Sequence, residues 1–180
     1  MKLNITKGGQ QADLGELFAN LDYEPGSLFK SDEHIKAMDK IHSLVCVRER
    51  TAKEIRTRLL DTGFDRDVVE GAVASALKCG LIDEERYAAA LISGKVHQGW
   101  GRAKIMRRLE EDGVDYQTVA KCSQYFATPA EEYERAMREL EKRSVRSKNP
   151  RATLTRRLLQ KGYSADLTNR AVNDFIGRAC

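Results

Sequence analysis

The chain has 180 residues, of which 41% are hydrophobic, 32% charged and 7% aromatic. This composition supports small hydrophobic cores under long polar helix faces, and the three prolines suit a helical protein. No apolar run approaches the roughly 20 residues that cross a bilayer, and no hydrophobic signal region is visible, so we expect a cytoplasmic protein without membrane contact. The net charge of +4 is small, so the placement of charge matters more than its sum.

Residues 1–30 form the first segment and differ from the rest. They contain the turn-forming pair Gly8-Gly9 and a second turn at Pro25-Gly26, around one weak apolar patch at helical spacing, Leu14–Leu21. We expect a flexible N-terminal extension that contains at most one short helix.

Residues 31–80 predict three helices. Thr51-Ala52-Lys53-Glu54 is a capping box that opens the second helix, and Gly63 has the position of the left-handed residue that ends it. Asp65 caps the third helix, which Gly80 closes.

The same pattern recurs in residues 81–127. Asp83 caps a first helix that ends at Gly99, Gly113 ends the second, and Asp115 caps a third helix that we expect to extend to residue 126.

A third unit follows in residues 128–180. Thr128-Pro129-Ala130-Glu131 combines a capping box with proline at the first helical position. Asn149-Pro150 opens the second helix, Gly162 ends it and Ser164 caps the last one.

These units are copies of one another. The glycines that end the second helices, Gly63, Gly113 and Gly162, are separated by 50 and 49 residues. The positions that match relative to these glycines are Ile41, Leu91 and Leu140; Ile55, Ile105 and Leu154; Arg58, Arg108 and Arg157; Leu59, Leu109 and Leu158; Ala72, Cys122 and Ala171. The prediction is an all-α fold of three tandem three-helix repeats in an elongated, curved array, with no sheet.

The sequence contains no constellation typical of an enzyme. It lacks a glycine-rich phosphate loop, a nucleophile elbow and a zinc-protease motif, so we expect neither catalysis nor a cofactor. Cys46, Cys79, Cys122 and Cys180 match no zinc spacing, and we interpret them as reduced thiols that fill small apolar gaps.

The corner Gly99-Trp100-Gly101 resembles a fragment of a nucleotide loop, but it lies between two predicted helices rather than after a strand. We interpret it as a hinge, with Trp100 either a local core residue or a contact residue. Four of the six tyrosines lie at apolar positions or beside helix caps and favour core packing over base stacking: Tyr87, Tyr116, Tyr125 and Tyr163.

Basic residues are concentrated on the second helices and in the acid-free stretch 142–165. A surface of this kind suits phosphates or an acidic protein groove, and the alternative is a set of solvated helix faces. The candidate contact residues are Arg102, Lys104, Arg107, Arg108, Arg143, Arg146, Lys148, Arg151, Arg156, Arg157 and Lys161. For the arginine that recurs at 58, 108 and 157, a structural role in packing or capping stays open.

A helix–turn–helix domain that binds duplex DNA is a further alternative, since such domains are built from three-helix units with basic helices. The predicted third helices carry few side chains suited to base edges, and the charge lies mainly on the second helices. Sequence-specific readout is therefore disfavoured, while sequence-neutral binding to single- or double-stranded DNA stays open.

The motifs resemble those of the RecX family, regulators of the bacterial recombinase RecA. The passage Gly80–Ala88 is the specific part, and the resemblance covers roughly residues 36 to 176. The other matching residues are Arg50-Thr51, Glu54-Ile55, Leu59, Gly63-Phe64, Gly99, Gly101, Ile105, Leu109 and Gly113-Val114.

This resemblance implies binding in the helical groove of the RecA–single-stranded-DNA filament, and we expect the protein to be a monomer. It further implies inhibition of ATP hydrolysis, strand exchange and co-protease activity, and so a part in regulating recombination, DNA repair and the SOS response. Blocked filament growth and promoted disassembly are both open as mechanisms. The competing hypothesis is a sequence-neutral nucleic-acid-binding protein that acts independently of RecA.

Overall fold

The computed structural model describes residues 6–7, 10–11, 32–142 and 148–179. These residues form α-helices, a 3₁₀ turn at Ser123–Tyr125 and a two-residue antiparallel pair of β1 (Thr6–Lys7) and β2 (Gln10–Gln11). The all-α class is confirmed for the repeats, and the expectation of no sheet is corrected only by this short pair. The apolar patch at 14–21 lies outside the described residues.

Each repeat consists of three helices in the described part of the chain. The first has α1 (Asp32–Val45), α2 (Ala52–Asp61) and α3 (Arg66–Lys78). The second has α4 (Glu84–His97), α5 (Arg102–Glu111) and α6 (Tyr116–Lys121). The third has α7 (Pro129–Glu141), α8 (Pro150–Lys161) and α9 (Ala165–Ala179).

Each repeat has its own hydrophobic core, filled by the side chains at the repeated positions. The second helices contribute Ile55, Leu59, Ile105, Leu109, Leu154 and Leu158, all buried. In the second repeat Leu91 is only partly buried, because its neighbour Ile92 takes the central place. Three separate clusters result, and the boundaries after residues 80 and 127 stay a prediction. Ile82 packs in the first cluster, slightly beyond the first of these boundaries.

The predicted helix ends are confirmed where local chemistry determines them. Gly63, Gly113 and Gly162 have φ of 90°, 83° and 88°, the left-handed conformation that ends a helix at glycine. The capping box at Thr128 is complete, since Thr128 and Glu131 each accept a hydrogen bond from the other's backbone N–H.

At Thr51 only half of the predicted capping box forms. Thr51 Oγ1 accepts from the N–H of Glu54 at 3.2 Å, while the Glu54 carboxylate accepts from three arginines instead of the Thr51 backbone. One of them, Arg50, is 7% exposed and donates from Nε to the Leu44 carbonyl at 2.9 Å, which satisfies the end of α1.

Several expectations for single side chains are wrong. Helix α6 ends at Lys121 rather than near residue 126, and the following 3₁₀ turn directs Tyr125 outward, 43% exposed. Tyr116, in the first turn of α6, is 78% exposed. Cys46 and Cys79 follow the last turns of α1 and α3 and are exposed, so they fill no apolar gap. Cys122, Tyr87 and Tyr163 are buried as expected, and Cys180 lies outside the described residues.

None of the described helices is long and apolar enough to cross a membrane. Over the same part of the chain, no group of three histidine, cysteine, aspartate or glutamate side chains is placed to hold a metal ion.

Candidate anion-binding surface

The basic second helices meet end to end. The N-terminus of α5 contacts the C-terminus of α8, where Gly101 N–H donates to the Lys161 carbonyl at 2.8 Å and Ala103 N–H to the Gly162 carbonyl at 3.1 Å. The first N–H groups of α5 and the last carbonyls of α8 have no partner within their own helices, so they bond to each other. The positive end of the α5 dipole thereby lies against the negative end of the α8 dipole. A Cβ on Gly101 would lie 2.3 Å from the Gly162 carbonyl carbon and oxygen, so only glycine permits this approach.

Side chains reinforce the same junction. The Glu132 carboxylate accepts from the Arg102 N–H at 2.9 Å, and the buried Tyr163 hydroxyl donates to the Gly99 carbonyl at 3.1 Å. Burial raises the pKa of the Tyr163 phenol, so it remains a donor at neutral pH. The Gly99–Gly101 corner is therefore a fixed docking point between repeats, and its interpretation as a hinge is corrected.

The junction between the first and second repeats follows the same plan. Glu84 Oε1 accepts from the Ala52 N–H at 3.2 Å, as Glu132 does for α5. Lys53 Nζ donates to the Glu111 carbonyl at 2.7 Å, and Lys104 Nζ approaches the Gln160 carbonyl at 3.4 Å. The accepting carbonyl lies two residues before the helix-ending glycine in both cases, so α2, α5 and α8 form one row.

The arginine that recurs at 58, 108 and 157 has an interaction partner in each repeat, and at 58 and 108 it is a carboxylate one turn away on the same helix. Arg58 Nε donates to Glu54 at 3.1 Å and Arg108 Nε to Asp112 at 2.7 Å, each within one helical turn. Asp112 also accepts from the Tyr87 hydroxyl at 2.6 Å, which ties α4 to α5. Burial and this bond to Asp112 raise the pKa of Tyr87 to about 12. Arg157 is partly buried and also has an interaction partner.

Other candidate cations are held by rings or by a carboxylate. The Arg102 guanidinium lies 4.3 Å from the centroid of the Phe126 ring. Trp100 has Lys104 at 4.2 Å and Lys95 at 4.7 Å from its ring centroid, so it is a partly buried local packing residue. Lys161 Nζ lies 3.5 Å from the nearly buried Glu139 carboxylate. Cation–π contacts of this kind are worth about 0.5–1 kcal/mol at exposed sites.

Four candidates differ from these. Arg107, Lys148, Arg151 and Arg156 are exposed, and within the described ranges no ion pair or hydrogen bond holds their side chains. Two further candidates, Arg143 and Arg146, lie outside the described residues. The structure thus separates cations that are engaged by groups of the protein itself from cations that remain available to a partner.

An open groove of about 690 Å³ lies between α8 and α9 beside two of the available cations. Arg151 and Arg156 line it together with Ala152, Thr155, Leu159 and Asn169. Leu159 is 47% exposed there and lies beside the two charges.

Sequence reasoning missed three side chains that join the repeats, namely Glu84, Glu132 and Lys53. Glu84 and Glu132 sit in the first turn of a helix, where acidic residues are common for local reasons, so nothing in the sequence marks their distant partners. One signal was available for the arginines: Arg102 and Arg151 both lie 11 residues before a helix-ending glycine, and Arg107 and Arg156 lie 6 before it.

Comparison with known proteins gives a consistent result. Residues 83–122 match the family model described as RecX, second three-helix domain. The regulatory protein RecX of Amycolatopsis mediterranei is 27% identical over 159 residues, covering 84% of this chain and 90% of that protein. The regulatory protein RecX of Legionella pneumophila is 31% identical over 80 residues, covering 44% of this chain and 53% of that protein.

Solved structures show the same fold. The crystal structure of RecX from Lactobacillus salivarius has a TM-score of 0.68 at 20% identity and covers 80% of this chain and 97% of its own. A second crystal structure of a regulatory protein RecX has a TM-score of 0.70 at 19% identity, covering 92% of this chain and 80% of its own. The matched second domain, the relatives along the chain and the shared fold agree with one another, and all of them are RecX proteins to which this chain is similar.

Proposed function

We propose that this chain is a regulatory protein that binds the RecA–single-stranded-DNA filament and inhibits the recombinase, ATPase and co-protease activities of RecA. The observation that carries the proposal is the match of residues 83–122 to the second three-helix domain of RecX. Relatives named regulatory protein RecX, which span 84% and 81% of the chain, support it. The family resemblance gives the helical groove of the filament as the binding site.

The architecture suits such a partner. Repeat proteins present extended surfaces to which successive units contribute similar positions. A nucleoprotein filament is itself a helical repeat, so one array can contact several of its subunits. The two junctions described above keep the second helices in one row, which favours an extended contact over a single pocket.

The charge distribution also suits it. A nucleoprotein filament presents both DNA phosphates and protein carboxylates, and a cation that lacks an internal partner loses no ion pair when it binds either of them. We therefore propose Arg107, Lys148, Arg151 and Arg156 as the first contacts, with the other seven predicted residues as a secondary set. In this proposal the protein is a cytoplasmic monomer that acts by binding, without catalysis or a cofactor.

The test is the ATPase activity of RecA on single-stranded DNA with this protein added below the concentration of RecA. We expect inhibition at substoichiometric amounts, because one bound molecule affects many filament subunits. Inhibition that appears only when the protein coats the DNA would contradict the proposal.

Direct binding to nucleic acid is the second candidate function, and the four available cations favour it. Affinity for bare DNA should then fall steeply with salt, with a slope set by the phosphates that are neutralised. Replacing Arg151 and Arg156 by alanine should reduce that slope. Arg66→Ala with Lys78→Ala, two exposed cations on α3, provides a control for overall charge. An equal reduction in both variants would count against the assigned surface.

A further inference from the structure

The groove between α8 and α9 has a charged–apolar–charged face. At 3.6 residues per turn, Leu159 lies roughly 80° from Arg151 and roughly 60° from Arg156, on opposite sides. The two arginines are separated by about 7.5 Å along the helix axis. Along the axis Leu159 lies about 4.5 Å beyond Arg156. An exposed leucine side chain thus shares this groove with two guanidinium groups, one on each side of it around the helix, that no described residue pairs with.

The first and second repeats each lack part of this combination. Leu60, Glu110 and Leu159 each lie three residues before the helix-ending glycine. The first repeat has the exposed Leu60 but carries Ala52 and Thr57 at the positions of the two arginines. The second repeat keeps the arginines but has Glu110 in place of the leucine. Only the third repeat of the described chain carries both features.

We propose that this groove binds an acidic segment of a protein partner, with carboxylates on Arg151 and Arg156 and a leucine-sized apolar side chain over Leu159. The inference deepens the proposed function and rests on it for the identity of the partner, but the chemistry follows from the groove itself. Arginine at both positions suits carboxylates, because its planar fork donates two parallel hydrogen bonds to one carboxylate.

The apolar centre favours a peptide over nucleic acid. A phosphodiester backbone would use the arginines and gain nothing from Leu159. Single-stranded nucleic acids stack their bases on aromatic side chains, and no aromatic residue lines this groove. An acidic peptide uses both the charges and the apolar surface, so it accounts for the whole face.

The experiment is fluorescence anisotropy of the full chain with a short labelled peptide composed of glutamate, aspartate and leucine. We expect this peptide to bind at least about tenfold more tightly than the matched peptide of glutamine, asparagine and leucine. Arg151→Ala with Arg156→Ala should remove that difference, while Arg66→Ala with Lys78→Ala should keep it.

The apolar contribution has a matched control of its own. Leu159→Ala should weaken binding of the acidic peptide by about threefold, since it removes part of the apolar contact. Leu60→Ala, at the same repeat position and of similar exposure, should leave binding unchanged. These side chains are exposed, so circular dichroism should report the same helicity for all variants.

Two outcomes overturn the inference. One is equal affinity for the acidic and neutral peptides. The other is tighter binding of a labelled oligothymidine that displaces the acidic peptide and depends on the arginines but not on Leu159, which would make the groove a phosphate site. RecA ATPase inhibition measured alongside separates the two proposals: inhibition without peptide binding refutes the groove alone, and peptide binding without inhibition refutes the proposed function alone.

Discussion

Replacing Gly101 by alanine should uncouple the second and third repeats. The backbone of Gly101 has φ −78° and ψ 159°, which any residue adopts, so the substitution costs no backbone strain. The obstacle is steric, because the new Cβ would lie 2.3 Å from the Gly162 carbonyl group and 2.4 Å from the Tyr163 nitrogen. These are backbone atoms of a helix end, so neither side can relieve the contact by rotating a side chain.

The expected cost follows from the hydrogen bonds that the separation breaks. They are the bonds from Gly101 N–H to Lys161, from Ala103 N–H to Gly162 and from the Tyr163 hydroxyl to Gly99. At about 1 kcal/mol each, their loss lowers the free energy of unfolding by about 3 kcal/mol.

Gly94→Ala is the control for the same chemical change. Gly94 is exposed within α4, and an added Cβ would meet nothing within 4 Å. Alanine there should raise the free energy of unfolding by about 1 kcal/mol through helix propensity.

Urea denaturation followed by circular dichroism measures both variants. The fluorescence of Trp100, the single tryptophan, reports on the junction itself because the residue adjoins Gly101. Equal stability of Gly101→Ala and wild type, or of the two alanine variants, would refute the fixed junction.

Two predictions concern pH. Because the pKa of Tyr87 is raised from 10 to about 12, its contribution to stability is complete below pH 10 and is lost as the pH rises toward 12. Tyr87→Phe should cost about 1 kcal/mol at neutral pH. In urea denaturation this deficit should be gone by about pH 11, where the wild type has lost about 1.4 kcal/mol; a deficit independent of pH would contradict this. Burial raises the pKa of Glu54, but hydrogen bonds from Arg58 and Arg48 outweigh it and the net pKa is lowered below 4.5. Stability from Glu54 is thus present above pH 4.5 and lost as the pH falls through the folded pKa, so Glu54→Gln should be about 2 kcal/mol less stable than wild type at neutral pH, with the difference disappearing in acid; thermal melts across this range test it.

Local chemistry made the helices predictable. Thr128 and Glu131 are close in the sequence, and so are the residues around Gly63, so each signal contains both partners of its hydrogen bonds. The repeat added an independent check, because three copies placed Leu59, Leu109 and Leu158 at one buried position. The prediction failed where a helix ended without a glycine, as α6 does at Lys121, and Tyr125 then turned outward.

The candidate site was predictable as a set of charges but not as a surface. Arg108 and Arg156 look alike in the sequence, since both stand on a second helix in a basic stretch. Asp112 lies one turn after Arg108 and holds it, whereas Arg156 has no ion pair among the described residues and borders an open groove. Which cations are available depends on side chains from several elements, so charge counting alone could not separate them.

The sequence by itself determined the helices, their ends, the threefold repeat and the family resemblance, because each depends on spacings shorter than one repeat or on comparison of copies. Tertiary structure alone decided how the repeats join and what they leave exposed. Gly101 meets the backbone of Gly162 across two helix ends, and backbone atoms carry no sequence signature. Leu159 has the spacing of an ordinary apolar residue, and only the packing of α8 against α9 leaves it open to a partner.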